Sequence, residues 1–305
     1  MPSVNWNGVF SAVATPFAAD GSVDWPRFEA LLDLLISEGV TGVIVAGSTG
    51  EYYSQVESER IELFQRAYKH VAGRVTVIAG TSAIEHANTI ALTGAARKIG
   101  FDGCMILPPV YCLPTPQEIE AYFQEVADIG LPVMIYNNPA RVGLGLTPGL
   151  TAKLAEIPNV VAYKESGRDL YAISETYYAT RGKLLHFAGL EPYGAALLSR
   201  GAAGIVSTIS NVCAAQVVAY YNAFRSGDAA ALAGNQQVID QLYHLLSRAG
   251  LSNFAFVKSA MAALGRPGGV TRAPHRMAGE AQVAELKDAI AKIYRDAGVP
   301  LENQK

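Results

Sequence analysis

The sequence has few of the residues that build metal centres and disulfide bonds. It contains five histidines that lie far apart and three scattered cysteines, Cys104, Cys112 and Cys213. None of the spacings HxH, HExxH or CxxC occurs, so we predict that the protein binds no metal. An odd number of scattered cysteines favours a reducing compartment over structural disulfides, and we therefore expect a cytoplasmic protein.

Long basic or apolar runs are also missing. The formal net charge is -3 and no cluster of Lys and Arg stands out, which gives no basis for binding to nucleic acid. No apolar stretch approaches the ~18 residues of a membrane span. The N-terminal residues lack the basic and apolar regions of a signal peptide. We expect neither a nucleic-acid partner nor a membrane.

The chain does contain many short apolar runs. Half of its 305 residues are hydrophobic, which is enough for a large core. Eight runs are short, rich in Val, Ile or Leu and bounded by Gly, Pro or polar residues. They are residues 9–14, 42–46, 75–79, 103–107, 132–136, 160–164, 184–188 and 204–208. These runs alternate poorly between apolar and polar residues, as expected of parallel strands that are buried on both faces.

Helical patterns fill the gaps between these runs. The predicted helices are residues 25–37, 57–71, 85–99, 117–129, 148–157, 170–180, 193–200 and 214–225, followed by 229–247, 254–264 and 280–297. Eight strand–helix units in series predict an α/β fold, a (β/α)8 TIM barrel. We predict a catalytic barrel domain over residues 1–225 and a C-terminal helical segment over residues 226–305, packed on the barrel. A doubly wound sheet is the alternative, but no GxGxxG follows an early strand.

Lys164 is the most informative reactive residue. It ends the predicted strand 160–164, and active sites of barrels lie at the C-terminal ends of the strands. A lysine in an apolar strand has little water around its ammonium, which favours the neutral, nucleophilic amine. The alternative is a lysine that reaches the rim or pairs with Glu165.

Tyr136 ends the preceding predicted strand. It lies four residues after Pro132, and Lys164 lies four residues after Val160. If these strand starts are level, the two side chains project at similar height from neighbouring strands. A phenol there could transfer protons during catalysis. An ordinary core tyrosine is the alternative.

Two further segments carry residues suited to binding carboxylates. In the GSTGE segment after the second strand, the hydroxyls and backbone N–H groups of Ser48 and Thr49 could hold a small carboxylate. Arg141, just past the fifth strand, could bind a second carboxylate. A plain glycine-rich turn and a solvated arginine are the alternatives.

Taken together and in order, the GSTGE, YNNP and YKES motifs resemble those of the dihydrodipicolinate synthase / N-acetylneuraminate lyase family of pyruvate-dependent lyases. The resemblance implies that Lys164 forms a Schiff base with a 2-keto acid and that Tyr136 transfers protons. It implies that Ser48 and Thr49, with backbone amides, bind the pyruvate carboxylate. No cofactor is then needed beyond the covalent imine with the substrate.

The resemblance extends to the assembly and the pocket. Tyr111 resembles the tyrosine that reaches into a neighbouring subunit and completes a relay with Ser48 and Tyr136. Val206 resembles the position whose backbone carbonyl lines the pocket, and Gly189 is expected to contact the substrate. The family implies a homotetramer built as a dimer of dimers, with a 2-keto acid and an aldehyde as small-molecule partners.

The substrate is less defined by the sequence. Arg141 in its YNxPxR context resembles the synthases, where the arginine binds the carboxylate of aspartate semialdehyde, so condensation of pyruvate with such an aldehyde is the leading hypothesis. GSTGE and the Asp169-Leu170-Tyr171 segment resemble the sialic acid lyases, but Pro192 replaces a hydroxyl-binding residue. An aldolase or dehydratase/deaminase of 2-keto-3-deoxy sugar acids or hydroxyproline-derived imino acids stays open. A non-catalytic keto-acid sensor and a metal-dependent aldolase are hypotheses from other classes.

The resemblance also bears on regulation. Seven residues correspond to the positions that surround a lysine effector in feedback-inhibited synthases. They are Tyr52, Tyr53, Glu57, Arg60, Ile84, Asn88 and Val110. Bulky tyrosines and an isoleucine would fill such a pocket or make it less polar, so we predict no tight inhibition by lysine.

Overall fold

Eight parallel strands close into a barrel in the computed structural model, which describes residues 4–301. The strands are β1 (Gly8–Ala12), β2 (Gly42–Val45), β3 (Thr76–Gly80), β4 (Gly103–Ile106), β5 (Val133–Asn137), β6 (Val160–Glu165), β7 (Leu185–Ala188) and β8 (Gly204–Ser207). Each strand pairs with its sequence neighbours, and β1 pairs with β8. The predicted (β/α)8 barrel is confirmed, and the alternative doubly wound sheet is wrong because the sheet has no open edge.

Twelve α-helices surround the barrel or follow it within the described residues. They are α1 (Trp25–Ser37), α2 (Glu57–Val71), α3 (His86–Ile99), α4 (Pro116–Asp128), α5 (Pro139–Val142), α6 (Pro148–Leu154), α7 (Leu170–Thr180), α8 (Gly194–Leu198), α9 (Ser210–Ser226), α10 (Ala229–Arg248), α11 (Asn253–Ala263) and α12 (Glu280–Asp296). Short 3-10 turns at Tyr52–Ser54 and Glu191–Tyr193 precede α2 and α8.

The first helix illustrates why these segments fold as they do. The Asp24 side chain accepts a hydrogen bond from the backbone N–H of Arg27 at 3.1 Å and so caps α1, while Pro26 fits the first turn without needing an N–H. Phe28 and Leu31 lie on the buried face. Such a face packs against the barrel and stabilises a helix more than its intrinsic propensity does.

Two apolar layers, one on each face of the sheet, explain why the strands do not alternate between apolar and polar residues. Phe10, Ile44 and Phe187 belong to the cluster inside the barrel, whereas neighbouring residues such as Val43 pack between the strands and the surrounding helices. Trp6 is buried in the inner cluster close to Gly103 at the start of β4. The N-terminal end of the barrel is therefore filled, and a site can open only at the C-terminal end.

The observed boundaries differ from the predicted ones by a few residues. Strand β1 begins and ends earlier than the predicted 9–14. Helix α9 begins at Ser210 rather than at residue 214, and Cys213 within it has non-helical dihedrals, φ -148° and ψ 57°. The short helix α5 was not predicted, because four residues carry no helical period.

The C-terminal helices pack on the last barrel helix. Helices α10 and α11 contact α9, and α12 contacts both α10 and α11. Arg266, after α11, forms a bidentate ion pair with Glu38 at the end of α1, with both N···O distances 2.6 Å. The division at residue 225 into two domains stays a prediction, and residues 1–3 and 302–305 lie outside the described chain. Within residues 4–301, no helix is both long and apolar enough to cross a membrane.

Candidate active site

Lys164 and Tyr136 lie side by side at the C-terminal ends of β6 and β5. They are direct partners in the parallel register of these strands. The Nζ atom of Lys164 lies 3.9 Å from the centroid of the Tyr136 ring. Both side chains are buried, with 2% and 6% of their surface exposed. The structure therefore brings together the two residues that the sequence predicted as neighbours.

The reason for this alignment differs from the predicted one. Pro132 is not level with Val160; instead Val133 pairs with Val160, and a register shift follows between Val133 and Met134. One extra residue in β6 compensates for the offset, so that Tyr136 and Lys164 pair after all. The prediction that the two strands start level was therefore wrong by one residue. The bulge in β6 cancels this offset.

Lys164 neither reaches the rim of the barrel nor pairs with Glu165, the two alternatives that the sequence left open. It does not reach solvent, and the ion pairs of lysines within residues 4–301 use Lys153, Lys183, Lys258 and Lys292. The Glu165 carboxylate instead accepts hydrogen bonds from Asn137 Nδ2 at 2.9 Å and from the Tyr163 hydroxyl at 3.0 Å. Burial raises the pKa of Glu165 despite these bonds. The amine is thus held in an apolar site without a carboxylate partner.

The phenol of Tyr136 is set up for proton transfer. Asn138 Nδ2 donates a hydrogen bond to the Tyr136 hydroxyl oxygen at 2.7 Å. Burial raises the pKa of the Tyr136 phenol, but the positive charge of Lys164 and the bond from Asn138 outweigh it, so the pKa lies below its usual value. A phenol whose pKa is lowered in this way exchanges protons more readily near neutral pH.

Gly189 and Ser166 enclose the end of the Lys164 side chain. A Cβ atom added to Gly189 would lie 2.2 Å from Ser166 Oγ and 3.0 Å from Lys164 Cε. Only glycine fits at this position. The Ser166 hydroxyl is buried beside Tyr136, and a hydrogen bond between the two side chains helps to lower the pKa of the phenol. A molecule bound at Lys164 would lie next to this hydroxyl.

The GSTGE segment forms a tight turn beside β8. Thr49 is buried, and its hydroxyl lies 3.0 Å from that of Thr208. The N–H groups of Gly50 and Glu51 bond to the carbonyls of Gly47 and Ser48, whereas no carbonyl among residues 4–301 accepts from the N–H groups of Ser48 and Thr49. Two free N–H groups next to two hydroxyls form an arrangement that can bind an anion.

Arg141 lies on α5 at the mouth of the barrel. Its guanidinium is 4.6 Å from the ring centroid of Phe254, which belongs to the C-terminal segment. Arg141 is exposed, and its guanidinium forms no ion pair with a carboxylate in the described part of the chain. A cation held on an aromatic ring without a carboxylate can bind one from a ligand.

The last two predicted site residues, Val206 and Tyr111, differ in how far they are buried. Val206 lies on β8 with its side chain buried inside the barrel, and the role of its carbonyl stays a prediction. Tyr111 is 90% exposed, with a left-handed φ of 74°. Its hydroxyl is therefore not enclosed by its own chain, and the relay through Ser48, Tyr111 and Tyr136 stays a prediction that requires a second subunit.

The seven residues matched to a lysine effector line one cleft of about 710 Å³. Arg60 is buried there and donates hydrogen bonds to the carbonyls of Ser82 and Gly80. Burial lowers the pKa of Arg60 to about 10. Tyr52 and Tyr53 line the cleft without filling it, and Ser48 and Arg141 also border it. The predicted insensitivity to lysine stays a prediction.

Several polar residues of the site were missed by sequence reasoning. Asn138, Ser166 and Thr208 follow the ends of β5, β6 and β8, so their positions after strand ends could have identified them. The Glu191 carboxylate accepts from the backbone N–H groups of Thr208 at 2.8 Å and of Ile209 at 3.0 Å. Glu191 is therefore occupied with positioning the end of β8. Within the described residues, no group of three or more His, Cys, Asp or Glu is arranged to hold a metal.

Comparison with known proteins places the chain in a family. The model of the dihydrodipicolinate synthetase family matches residues 5–293. An uncharacterized DapA-like lyase of Rhizobium meliloti is 48% identical over 95% of this chain and 96% of its own. A 4-hydroxy-tetrahydrodipicolinate synthase of Streptomyces coelicolor is 34% identical over 94% of each chain. The solved structure of an E. coli prophage protein of the same family, in complex with pyruvate, is similar with a TM-score of 0.88 and 30% identity, over 95% of this chain and 99% of that one.

Proposed function

Since the chain belongs to the dihydrodipicolinate synthetase family and is a lyase, we propose that Lys164 forms an imine with the keto carbon of pyruvate or a related 2-keto acid. The observation that carries the proposal is the buried amine, 3.9 Å from the Tyr136 ring centroid and without a carboxylate partner. A buried amine beside a phenol that can transfer protons is placed to add to a carbonyl group that enters the barrel.

The first half of the reaction makes the imine. The Lys164 nitrogen adds to the keto carbon, and the carbonyl oxygen takes up a proton to give a carbinolamine. Loss of water then forms the C=N bond. Tyr136 lies beside the nitrogen and would donate and recover the protons that these steps need. The N–H groups of Ser48 and Thr49 would hold the substrate carboxylate.

The second half uses the imine as an electron sink. A protonated imine stabilises the enamine that forms when the adjacent carbon loses a proton. The enamine carbon attacks an aldehyde to form a C–C bond, and water then releases the product from Lys164. Run in reverse, the same steps cleave an aldol.

The position of Arg141 supports a second substrate that carries a carboxylate. Its guanidinium is exposed at the barrel mouth, is supported by Phe254 and forms no ion pair with a carboxylate in the described chain. A bidentate contact there would orient the aldehyde toward the enamine. We therefore place condensation of pyruvate with an aldehyde of the aspartate semialdehyde type first.

One observation favours a second candidate. The Ser166 hydroxyl is buried next to Gly189, Lys164 and the Tyr136 phenol, at the place where a substrate bound to Lys164 would lie. A hydroxyl of a 2-keto-3-deoxy acid could form a further hydrogen bond with it, which would contribute about 0.5–1.5 kcal/mol. Glu191 weighs against a long polyhydroxyl tail, because its carboxylate already accepts hydrogen bonds from the backbone N–H groups of Thr208 and Ile209, between β8 and α9.

A tetramer built from two dimers is part of the proposal. Tyr111, Ile84 and Leu113 border the cleft and are exposed by 90%, 77% and 61% of their surfaces. Exposed apolar residues concentrated at one place suit a contact with a second copy of the chain. Sedimentation velocity would give the oligomeric state, and a monomer that is fully active would contradict the role of Tyr111.

A substrate panel combined with borohydride reduction tests the proposal. Pyruvate and borohydride should label the protein at Lys164, and an aldehyde carrying a carboxylate should be consumed with pyruvate. Release of pyruvate from a 2-keto-3-deoxy acid would instead favour the second candidate. Labelling without turnover of any substrate would favour a keto-acid sensor. Turnover that a chelator abolishes, with no label on Lys164, would favour a metal-dependent aldolase.

A further inference from the structure

Lys258 places a buried charge beside the GSTGE turn, although it belongs to the C-terminal helix α11. Its side chain is 1% exposed, and its Nζ lies 2.6 Å from Glu51 Oε1. Glu51, the last residue of the turn, is itself fully buried. A charge this far from water requires partners for its hydrogen-bond donors.

The ammonium of Lys258 finds all the acceptors that it needs. It donates to the carbonyls of Thr15 and Val270, each at 2.7 Å, in addition to its ion pair with Glu51. Three N–H donors therefore meet three acceptors. Thr15 follows β1, and Val270 follows α11, so one side chain joins three segments of the chain at the turn.

Glu51 has a backbone conformation that needs such support. Its φ is 60°, in the left-handed region that residues with a Cβ rarely adopt. Its Oε2 accepts a hydrogen bond from the backbone N–H of Arg272 at 3.2 Å, while Oε1 faces Lys258. Both carboxylate oxygens are thus held by the C-terminal segment. The backbone N–H of Glu51 donates a hydrogen bond to the carbonyl of Ser48 at 3.2 Å, which links Glu51 to the residues that precede it.

We propose that Lys258 is a positioning residue that, through Glu51, directs the free N–H groups of Ser48 and Thr49 toward the carboxylate of the keto acid. The inference rests on the proposed function, because it requires a keto acid at Lys164. In this proposal the C-terminal helical segment supports the binding site for the keto acid without contacting the keto acid itself. Stability alone is a weak reason for such a pair, since apolar replacements of buried ion pairs are often neutral or stabilising.

The test compares single and double substitutions. Lys258→Met removes one charge and leaves Glu51 buried and unpaired, whereas the double variant Lys258→Met, Glu51→Gln removes both charges and avoids that defect. In the double variant we expect the KM for pyruvate to rise by about tenfold or more, because the anchored N–H groups bind a charged group. The carboxylate is bound equally in the ground state and the transition state, so kcat should change much less.

Arg266→Met is the matched control. It also removes a buried ion pair between the C-terminal segment and the barrel, but its partner is Glu38 after α1 and not the turn. It should lower the melting temperature without raising the KM for pyruvate. If the double variant changes only the melting temperature, or if both variants raise the KM equally, Lys258 has no positioning role.

A crystal structure of the wild-type protein reduced with pyruvate and borohydride tests the premise of this inference, that the turn binds the carboxylate, without any variant. We expect the pyruvyl carboxylate within hydrogen-bond distance of the N–H groups of Ser48 and Thr49, with the ion pair between Glu51 and Lys258 intact. An adduct on Lys164 with its carboxylate elsewhere would overturn this inference and leave the proposed function standing. Absence of any adduct on Lys164 would overturn the proposed function itself.

Discussion

Lys164 and Tyr136 are paired across the β5–β6 ladder, with the lysine Nζ 3.9 Å from the centroid of the tyrosine ring. Because strand register fixes the two residues, their side chains keep one relative height in the barrel. The amine and the phenol are thereby held within reach of one carbonyl group. A rigid pair of nucleophile and proton donor is what catalysis through an imine requires.

Replacement of Tyr136 by phenylalanine tests the proton transfer. Tyr136→Phe keeps the ring beside Lys164 and removes only the hydroxyl that accepts from Asn138. Loss of a group that transfers protons should lower kcat by about 10²–10⁴-fold, with a small effect on the KM for pyruvate. Steady-state kinetics measure this, and Tyr122→Phe, a buried tyrosine on α4, is the control. Unchanged turnover in Tyr136→Phe would remove the phenol from the mechanism.

Gly189→Ala should displace the reactive amine. The added methyl would lie 2.2 Å from Ser166 Oγ, 2.7 Å from the Glu165 carbonyl and 3.0 Å from Lys164 Cε, so β6 and the lysine must move. A displacement of about 1 Å at the reacting group can lower the rate by about 10²-fold. The rate of borohydride labelling with pyruvate reports the effect. Gly94→Ala in α3, where no atom lies within 4 Å, should label at the wild-type rate.

Arg141→Ala should impair substrates according to their charge. We expect kcat/KM for an aldehyde with a carboxylate to fall by about 10–100-fold, because a hydrogen-bonded charge contact is lost. An uncharged aldehyde of similar length should be unaffected. Arg66→Ala is a matched control, since Arg66 also lies over an aromatic ring, that of Trp25 at 4.4 Å, on the outer helices. Equal effects on charged and uncharged aldehydes would contradict the role of Arg141.

His186 should make the fold sensitive to acid. Burial lowers the pKa of His186 to about 4 from a usual value of 6.5. Between these values the unfolded chain binds a proton that the folded protein does not, so the free energy of unfolding decreases as the pH falls from 6.5 to 4. The full loss is about 3 kcal/mol. It is absent above pH 6.5, where His186 is neutral in both states.

Urea unfolding between pH 7 and pH 4.5 measures this loss. His186→Gln should show a smaller decrease over that range than the wild type, because glutamine does not titrate. Its amide can keep a donor toward the Thr180 hydroxyl, which lies 2.7 Å from His186 Nε2. Replacement of the exposed His244 by glutamine should leave the wild-type decrease unchanged. A parallel pH dependence in His186→Gln and the wild type would show that His186 is not the responsible group.

The barrel could be predicted from the sequence because its signal is repeated. Eight apolar runs without alternation indicate strands buried on both faces, and each has a helical pattern after it. The register between β5 and β6 could not be predicted in the same way. A single extra residue in β6, opposite Val133 and Met134 of β5, changes the pairing without changing the periodicity of either strand.

The site was predictable only in part. Lys164 stood out because a lysine in an apolar strand is rare, but Asn138 and Ser166 are ordinary polar residues until the fold places them beside it. The contact between Glu51 and Lys258 joins two distant parts of the chain. A lysine within the apolar segment FAFVKSAMAAL was a signal for a buried charge, but its partner could be found only in three dimensions.

Imine formation at Lys164 is tested most directly by peptide mass mapping, which identifies the residue that borohydride and pyruvate modify together. We predict one reduced pyruvyl group per chain, on the peptide that contains Lys164, and no such group when pyruvate is omitted. Lys164→Arg should abolish both the label and turnover. A label on another lysine, or an active Lys164→Arg protein, would exclude Lys164 as the residue that forms the imine.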